Sequence, residues 1–200
     1  MIERLLETDN IVAVAIETPD TPIRDRARTM VRTSLRTLLA DKLGTAETTI
    51  QLISHPGRPI RLASPWSHVG LSVSHEPGRS AMAINVDGPI GIDLLHLGPP
   101  LPDIALLSRD YLGPLASTEL AALAPERQQA GFARAWCRFE AKLKCLGLPR
   151  HRKPGWQHVR SPICQCRPVG LPPSPRRTNG TDRASTNRLI APLLSPPKKQ

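Results

Sequence analysis

Glu140 and Lys144 are the residues whose type and spacing first suggest chemistry. They lie in the segment from Phe132 to Leu148, whose apolar residues recur at alternating steps of four and three, a spacing that predicts one face of an α-helix. These apolar residues are Phe132, Trp136, Phe139, Leu143 and Leu146, and we expect their face to be buried. On its edge, Trp136, Glu140 and Lys144 follow at steps of four, which stacks a ring, a carboxylate and an ammonium in one column. Taken alone, Glu140 and Lys144 are most simply a solvated ion pair worth about 0.2–0.5 kcal/mol.

Asp93 is a second candidate because its neighbours are apolar. The segment from Ala81 to Leu95 holds two apolar runs separated by Asp87-Gly88-Pro89, a pattern typical of a hairpin between two strands. Asp93 would then lie in the middle of the second strand. A buried carboxylate is costly unless it is paired or binds a cation. The sequence therefore predicts that Asp93 pairs with an arginine, caps a helix or binds a metal ion.

Four short blocks follow one another along the chain: HPGRP at 55–59, LSVSHE at 71–76, GIDLL at 91–95 and WCRFEAKLK at 136–144. In this order they resemble the phosphopantetheinyl transferase superfamily. That family has a Gly-[Lys/Arg]-Pro block, a Ser-His block before a strand of small residues, a Gly-[Ile/Val]-Asp block and a helix with Trp-x-x-Lys-Glu. Four blocks in the family order are much more specific than any one of them.

The resemblance implies a fold and an activity. The implied fold is α/β (α+β) and pseudo-twofold, with two halves that each pack a long helix on a small antiparallel sheet. The implied activity is the Mg²⁺-dependent transfer of the phosphopantetheine arm of coenzyme A to a serine of an apo acyl or peptidyl carrier protein. Adenosine 3′,5′-bisphosphate is the product released.

The resemblance also implies roles for individual residues. Asp93 and Glu140 would bind Mg²⁺, Glu140 would accept the serine proton, and Lys144 would steady the transferring phosphate. The residues that match those contacting coenzyme A are Arg58, Ser74, His75 and Lys144. Arg58 fits an ordinary loop arginine equally well, and a histidine after a strand is usually structural.

Two positions depart from the family pattern. Leu95 stands where the family most often has Glu, and Phe139 stands where it most often has Lys. Residues i and i+2 of a strand share a face, so a Glu at 95 would join Asp93 on one cation, and this chain lacks that ligand. A site formed by Asp93 and Glu140 remains chemically sufficient, because Mg²⁺ commonly binds one or two carboxylates together with substrate phosphates and water. We interpret Phe139 as a packing residue.

The remaining elements follow from the apolar pattern. We expect a strand over Ile11 to Glu17, a helix from Arg24 to Leu43 ended by Gly44, and two short extended pieces between Thr49 and Leu62. The apolar stripe of the helix is Ala27, Met30, Val31, Leu35, Leu38 and Leu39. The segment from Ile104 to Leu123 is our candidate surface for a carrier protein.

We divide the chain into an N-terminal half (1–86), a C-terminal half with the Asp and Glu motifs (87–149) and a tail (150–200). The tail holds eleven Lys or Arg and one acidic residue, whereas residues 1–149 hold sixteen of each sign, so the net charge of +10 belongs to the tail. This composition predicts a disordered basic segment and an incomplete second half. Two alternatives remain: a truncated inactive relative, or a module that binds nucleic acid or anionic surfaces through its tail.

The first twenty residues hold acidic side chains and one short apolar run, which fits neither a signal peptide nor a membrane span. We therefore expect a cytoplasmic protein with no membrane partner, and reduced thiols at Cys137 and Cys145. The tail has one aromatic residue and no recognised nucleic-acid motif, so nucleic acid is not the expected partner. By the resemblance, we expect a monomer.

Overall fold

The computed structural model describes residues 2–21, 23–55, 58–96, 101, 103–148, 167–168, 188–190 and 194–195. Within them the chain has an α+β fold of four helices and small antiparallel sheets. The strands are β1 (Ile2–Glu7), β2 (Ile11–Glu17), β3 (Leu52–Ile53), β4 (Arg61–Leu62), β5 (Gly70–Glu76), β6 (Arg79–Asn85), β7 (Leu94–His96), β8 (Arg167–Pro168), β9 (Arg188–Ile190) and β10 (Leu194–Ser195). The helices are α1 (Asp25–Leu43), α2 (Ile104–Leu107), α3 (Pro114–Ala121) and α4 (Pro125–Cys145), with a 3₁₀ turn at Glu47–Thr49 and a π-helical turn at Ser108–Leu112.

The main sheet is antiparallel, with the strand order β1-β2-β6-β5. Successive residues of a strand point to opposite faces, and here the two faces differ in side-chain size. One face carries the large residues Val12, Val14, Ile16, Met82 and Ile84. The other carries the small residues Ala13, Ala81 and Ala83. The large face can bury a helix, and the small face allows a chain segment to approach the sheet closely.

Helix α1 covers the large face, as its apolar stripe predicts. Val31, Leu35 and Leu39 are buried against the sheet, whereas Met30 lies at the margin and is 37% exposed. Gly44 ends the helix in the left-handed conformation (φ 61°), which glycine adopts without strain. The predicted strand at Ile11–Glu17, the predicted helix and the two short extended pieces are all confirmed.

The predicted hairpin between 81 and 95 is wrong. Strand β6 already pairs with β2 on one edge and with β5 on the other, so no edge remains for a hairpin partner. Residues 90–94 instead cross the small face of the sheet, where Ile90, Ile92 and Leu94 pack on its alanines. Asp93 therefore lies just before the short strand β7 and not in the middle of a strand, yet it is buried.

Gly91 lets helix α4 lie directly on this crossing segment. A Cβ at Gly91 would overlap the carbonyl oxygen of Ala141 in α4. The side of α4 that faces inward carries Phe132, Ala133, Cys137, Glu140, Ala141 and Cys145. Most of these residues are small, so the two backbones can approach each other.

Phe132 is buried as predicted, but the other residues of the predicted buried face of α4 are not, and the helix begins at Pro125, earlier than predicted. Trp136, Phe139 and Leu143 are half-buried, and Leu146 is 45% exposed. Close approach to the Gly91 segment selects the small residues for the contact, so the bulky ones lie at its margins.

Three short strands lie within the tail. Strand β7 pairs antiparallel with β9, and β8 pairs with β10, while α4 packs against β9 and β10. These seven residues are the part of the tail that the structure describes. The other residues of 150–200 lie outside the described part of the chain, so the domain division stays a prediction.

Among the helices in the described ranges, none combines the length and the apolar character that crossing a membrane would require.

We expect Gly91→Ala to destabilise the protein by about 1–3 kcal/mol or more, because α4 must move to accommodate the methyl group. Urea unfolding of the purified variant measures this loss. Gly44→Ala is the control: a Cβ there meets open space, and the left-handed backbone alone costs about 1–2 kcal/mol. A Gly91 variant with the stability of the wild-type protein would contradict the close contact.

Candidate functional site

Side chains of β5 hold the segment 92–96 in a fixed register. Every second residue of the segment donates its backbone N–H to every second side chain of the strand. The three contacts are Ile92 to Ser72 Oγ (3.0 Å), Leu94 to Ser74 Oγ (3.1 Å) and His96 to the Glu76 carboxylate. These side chains satisfy buried backbone donors that a neighbouring strand would otherwise satisfy.

Asp93 and Lys144 form the centre of the site. Asp93 Oδ1 accepts hydrogen bonds from Ser74 Oγ (2.8 Å) and from Lys144 Nζ (2.6 Å). The Lys144 ammonium also donates to the carbonyl oxygens of Val73 (3.1 Å) and Ile92 (2.9 Å). The Lys144 and Asp93 side chains are 13% and 8% exposed. Lys144 thus ties α4 to both β5 and the crossing segment while it neutralises a buried carboxylate.

Glu140 and Cys137 complete the inward side of α4. Glu140 lies one turn before Lys144 and is 7% exposed. The Cys137 thiol is fully buried, and burial is the main cause that raises its pKa to about 12. Its pKa also responds to the charges of Asp93, Lys144, Glu76 and Glu140, so these four groups lie near the Cys137 thiol. Cys137 itself stays a thiol at neutral pH and is not a nucleophile.

Glu76 is a site residue that the sequence analysis missed. Burial raises the pKa of its carboxyl, and the charge of Asp93 raises it further, whereas Arg24 and His96 oppose the shift. A signal was present in the sequence, since Glu76 stands two residues after Ser74 and side chains at that spacing share one side of a strand. The site therefore holds three carboxylates near one lysine.

His75 lies on the other side of β5 from Ser74, as strand alternation requires. Its Nδ1 is 2.8 Å from Ser80 Oγ on the paired strand β6, and its ring is half-buried. His75 is therefore adjacent to the site in sequence but directed away from Asp93.

Arg58 lies in the loop between β3 and β4. Its side chain is exposed, and its backbone N–H donates to the carbonyl oxygen of His55 (3.1 Å). Pro56 and Gly57, which belong to the same sequence block, lie outside the described residues. The structure thus brings together Ser74, Asp93, Glu140 and Lys144 but gives no contact between Arg58 and this group.

Trp136 connects the site helix to the candidate docking segment. Its ring centroid lies 5.4 Å from Tyr111 in the π-helical turn and 6.1 Å from Phe139. The segment is helical, through α2 and α3. It exposes Leu106 (42%) and Leu115 (74%).

The residues present fit a magnesium ion held in part by its substrate. In the described ranges, no three His, Cys, Asp or Glu side chains stand in an arrangement that could hold a metal ion by themselves. Asp93 and Glu140 supply two buried carboxylates, which suffices when phosphates and water complete the shell of Mg²⁺. The carboxylate ligands therefore suit Mg²⁺, although in this structure Lys144 contacts one of them, Asp93.

Comparisons with known proteins add no family assignment. Neither the models of known protein families nor the curated proteins include a match to this chain. The interpretation of the site rests on its residues, their contacts and the sequence resemblance.

We expect Lys144→Met to destabilise the protein by about 3–5 kcal/mol, because it leaves the buried Asp93 carboxylate without its cation. Chemical unfolding monitored by circular dichroism measures the loss. Lys142→Met is the matched control on the same helix, where the side chain is exposed and the expected change is within about 0.5 kcal/mol. Equal stabilities of the two variants would contradict the structural role of Lys144.

Glu76→Gln should make stability less dependent on pH. The pKa of Glu76 is raised above 4.5 in the folded protein, so the folded state holds this proton more tightly than the unfolded chain does. Its contribution to stability therefore falls as the pH rises through the raised pKa. The amide keeps an oxygen that accepts the N–H of His96, so at pH 7 the variant should be at least as stable as the wild-type protein.

Urea unfolding between pH 4.5 and pH 8 tests this expectation. The difference in the free energy of unfolding between Glu76→Gln and the wild-type protein should shrink toward pH 4.5. The exposed control Glu119→Gln should show the same pH dependence of stability as the wild-type protein. If the stability of Glu76→Gln relative to wild type were lower at pH 7 than at pH 4.5, the predicted direction of the pH effect would be contradicted.

Proposed function

We propose that this protein transfers the phosphopantetheine arm of coenzyme A to a serine of an apo carrier protein, as a divergent phosphopantetheinyl transferase. One observation carries the proposal. Ser74, Asp93 and Lys144 come from three separate sequence blocks of that family, and they meet in one buried hydrogen-bonded group beside Glu140. Three unrelated short matches would have no reason to converge in space.

The architecture also supports the proposal. The sheet β1-β2-β6-β5 with α1 would form one half of the expected pseudo-twofold fold. The second half would consist of α4 with the short strands β7, β8, β9 and β10, which form a smaller sheet system than the first half. The proposed site lies where the crossing segment joins these halves.

Asp93 and Glu140 would hold the magnesium ion. When bound, the ion would polarise the pyrophosphate of coenzyme A and stabilise the charge of the leaving group. The Leu95 side chain has no donor atom for a metal ion, and it packs on Cys137 and Ala141. Leu95 carries no charge, but Glu76 lies close enough to Asp93 for their two charges to interact. Glu76 would therefore supply negative charge near the metal ion.

The chain's own residues would act on the acceptor hydroxyl and on the phosphate. Glu140 accepts the proton of the carrier serine, directly or through water. Ser74 orients Asp93, because its hydroxyl donates to that carboxylate while it accepts the N–H of Leu94. Lys144 steadies the transferring phosphate, a role for which its ammonium has to leave Asp93.

The phosphates of coenzyme A would be held at the rim of the site. Arg58 is exposed on its loop and offers a planar guanidinium suited to phosphate. His75, half-buried beside Ser80, would face the adenosine 3′-phosphate. Ser74 is buried, which favours its contact with Asp93 over a direct contact with the phosphates.

The carrier protein would dock on the segment from Ile104 to Leu123. The exposed side chains of Leu106 and Leu115 offer apolar contacts there, and Trp136 links the segment to α4. We further propose a cytoplasmic monomer. Cys137 and Cys145 are buried, and thiols there would stay reduced in such a compartment.

Incubation with an apo carrier protein, coenzyme A and Mg²⁺ should add the mass of one phosphopantetheine to the carrier, and EDTA should prevent it. Glu140→Ala should lower the rate by about 100-fold or more, the loss typical of removing a general base, while coenzyme A binding largely survives. Glu126→Ala, at an exposed position of the same helix, is the control and should keep full activity.

Intact-mass spectrometry of the carrier and calorimetry with coenzyme A give the two readouts. Full activity of Glu140→Ala would overturn the assignment. A folded wild-type sample that modifies none of several acyl and peptidyl carriers would identify the chain as an inactive relative.

A further inference from the structure

The Lys144 ammonium contacts Oδ1 of Asp93, an oxygen that a bound cation would also use. Its Nζ lies 2.6 Å from Asp93 Oδ1, at the short end of charge-assisted hydrogen bonds. A divalent cation on the same oxygen would stand beside the ammonium, and the two positive charges would repel each other in a site where little solvent enters. The two cations therefore cannot both lie on this oxygen without a rearrangement.

The contacts of Lys144 go beyond charge neutralisation. The same ammonium donates to the carbonyl oxygens of Val73 and Ile92, which lie on β5 and on the crossing segment. An ammonium has three N–H donors, and three acceptors from two neighbouring chain segments lie within 3.1 Å of it. Lys144 thus holds the backbone beside Asp93 as well as its carboxylate.

We propose that Lys144 is the resident cation of this site in the metal-free protein, and that a divalent cation competes with it for Asp93. The inference rests on the proposed function for the identity of the metal site. Metal binding would release the ammonium from Asp93 and make it available to an incoming phosphate. Lys144 thereby sets the metal affinity, in addition to its contact with the phosphate.

Removing the ammonium should tighten metal binding. A neighbouring opposite charge changes the affinity of a carboxylate for a proton by about one to three powers of ten, and a divalent cation on Asp93 experiences the same competition. We therefore expect Lys144→Met to bind Mn²⁺, used as the probe, at least about tenfold more tightly than wild type, as measured by calorimetry. Lys142→Met should bind like wild type, and Asp93→Asn introduced into Lys144→Met should abolish the gain.

A second measurement uses the wild-type chain and needs no substitution at Lys144. Lysines are reductively methylated, and the rate at each site is read by peptide mass spectrometry. In EDTA, Lys144 should react more slowly than its exposed neighbour Lys142. In Mg²⁺ at a concentration that saturates the protein, the rate at Lys144 should rise while the rate at Lys142 stays the same. This measurement decides the question if Lys144→Met does not fold.

The outcomes separate this inference from the proposed function. If wild type and Lys144→Met bind Mn²⁺ with equal affinity and Asp93→Asn abolishes both, the metal site stands and the competition is wrong. An unchanged methylation rate at Lys144 in saturating Mg²⁺ would overturn the competition as well. If neither protein binds Mn²⁺, the inference and the metal part of the proposed function fail together, whereas binding by Lys144→Met alone would support both.

Discussion

The site depends on the burial of one carboxylate, that of Asp93. A buried and uncompensated charge costs several kcal/mol, so the surrounding structure must supply partners to this side chain. It does so from two directions, with a hydroxyl from β5 and an ammonium from α4. Each partner belongs to an element that other contacts also hold in place: β5 is a strand of the main sheet, and α4 covers the crossing segment. The polar centre and the packing therefore position each other.

Close packing makes this arrangement possible. The small face of the sheet lets residues 90–94 lie flat across it, and Gly91 lets the backbone of α4 approach the same segment. With larger residues at these places, Lys144 would stand farther from Asp93, and the ammonium would lose its carbonyl acceptors. Side chains of β5 then set the register of the segment at alternate residues, which fixes where Asp93 points. The geometry of the site is thus a consequence of side-chain size as much as of charge.

The structure also shows what surrounds the two residues that depart from the pattern of the family that the sequence resembles. Leu95 packs on the small residues of α4, where a carboxylate would have to be buried against Cys137 and Ala141. Negative charge is present nearby in Glu76, at the end of the neighbouring strand. Phe139 lies at the margin of the helix, beside Trp136, and adds to the aromatic contacts there. The chain thus has an apolar contact at Leu95 and a negative charge nearby at Glu76.

Local pattern was sufficient to predict part of this protein, and only the tertiary structure decided the remainder. Strand β2, helix α1 and its end at Gly44 follow from periodicity and from the conformational freedom of glycine, which are properties of neighbouring residues. The candidate residues Asp93, Glu140 and Lys144 were also recognisable from the sequence, because their residue types recur in a known order. The hairpin after β6 was mispredicted, because whether an edge of β6 is open depends on strands β2 and β5, which lie elsewhere in the chain. Apart from Phe132, the inward side of α4 was mispredicted for a similar reason: close backbone contact at Gly91 favours small residues over the bulky ones that hydrophobic periodicity selects. The pairing of Lys144 with Asp93, 51 residues apart, was likewise decided by the fold, since no local pattern specifies which buried charge an ammonium will reach.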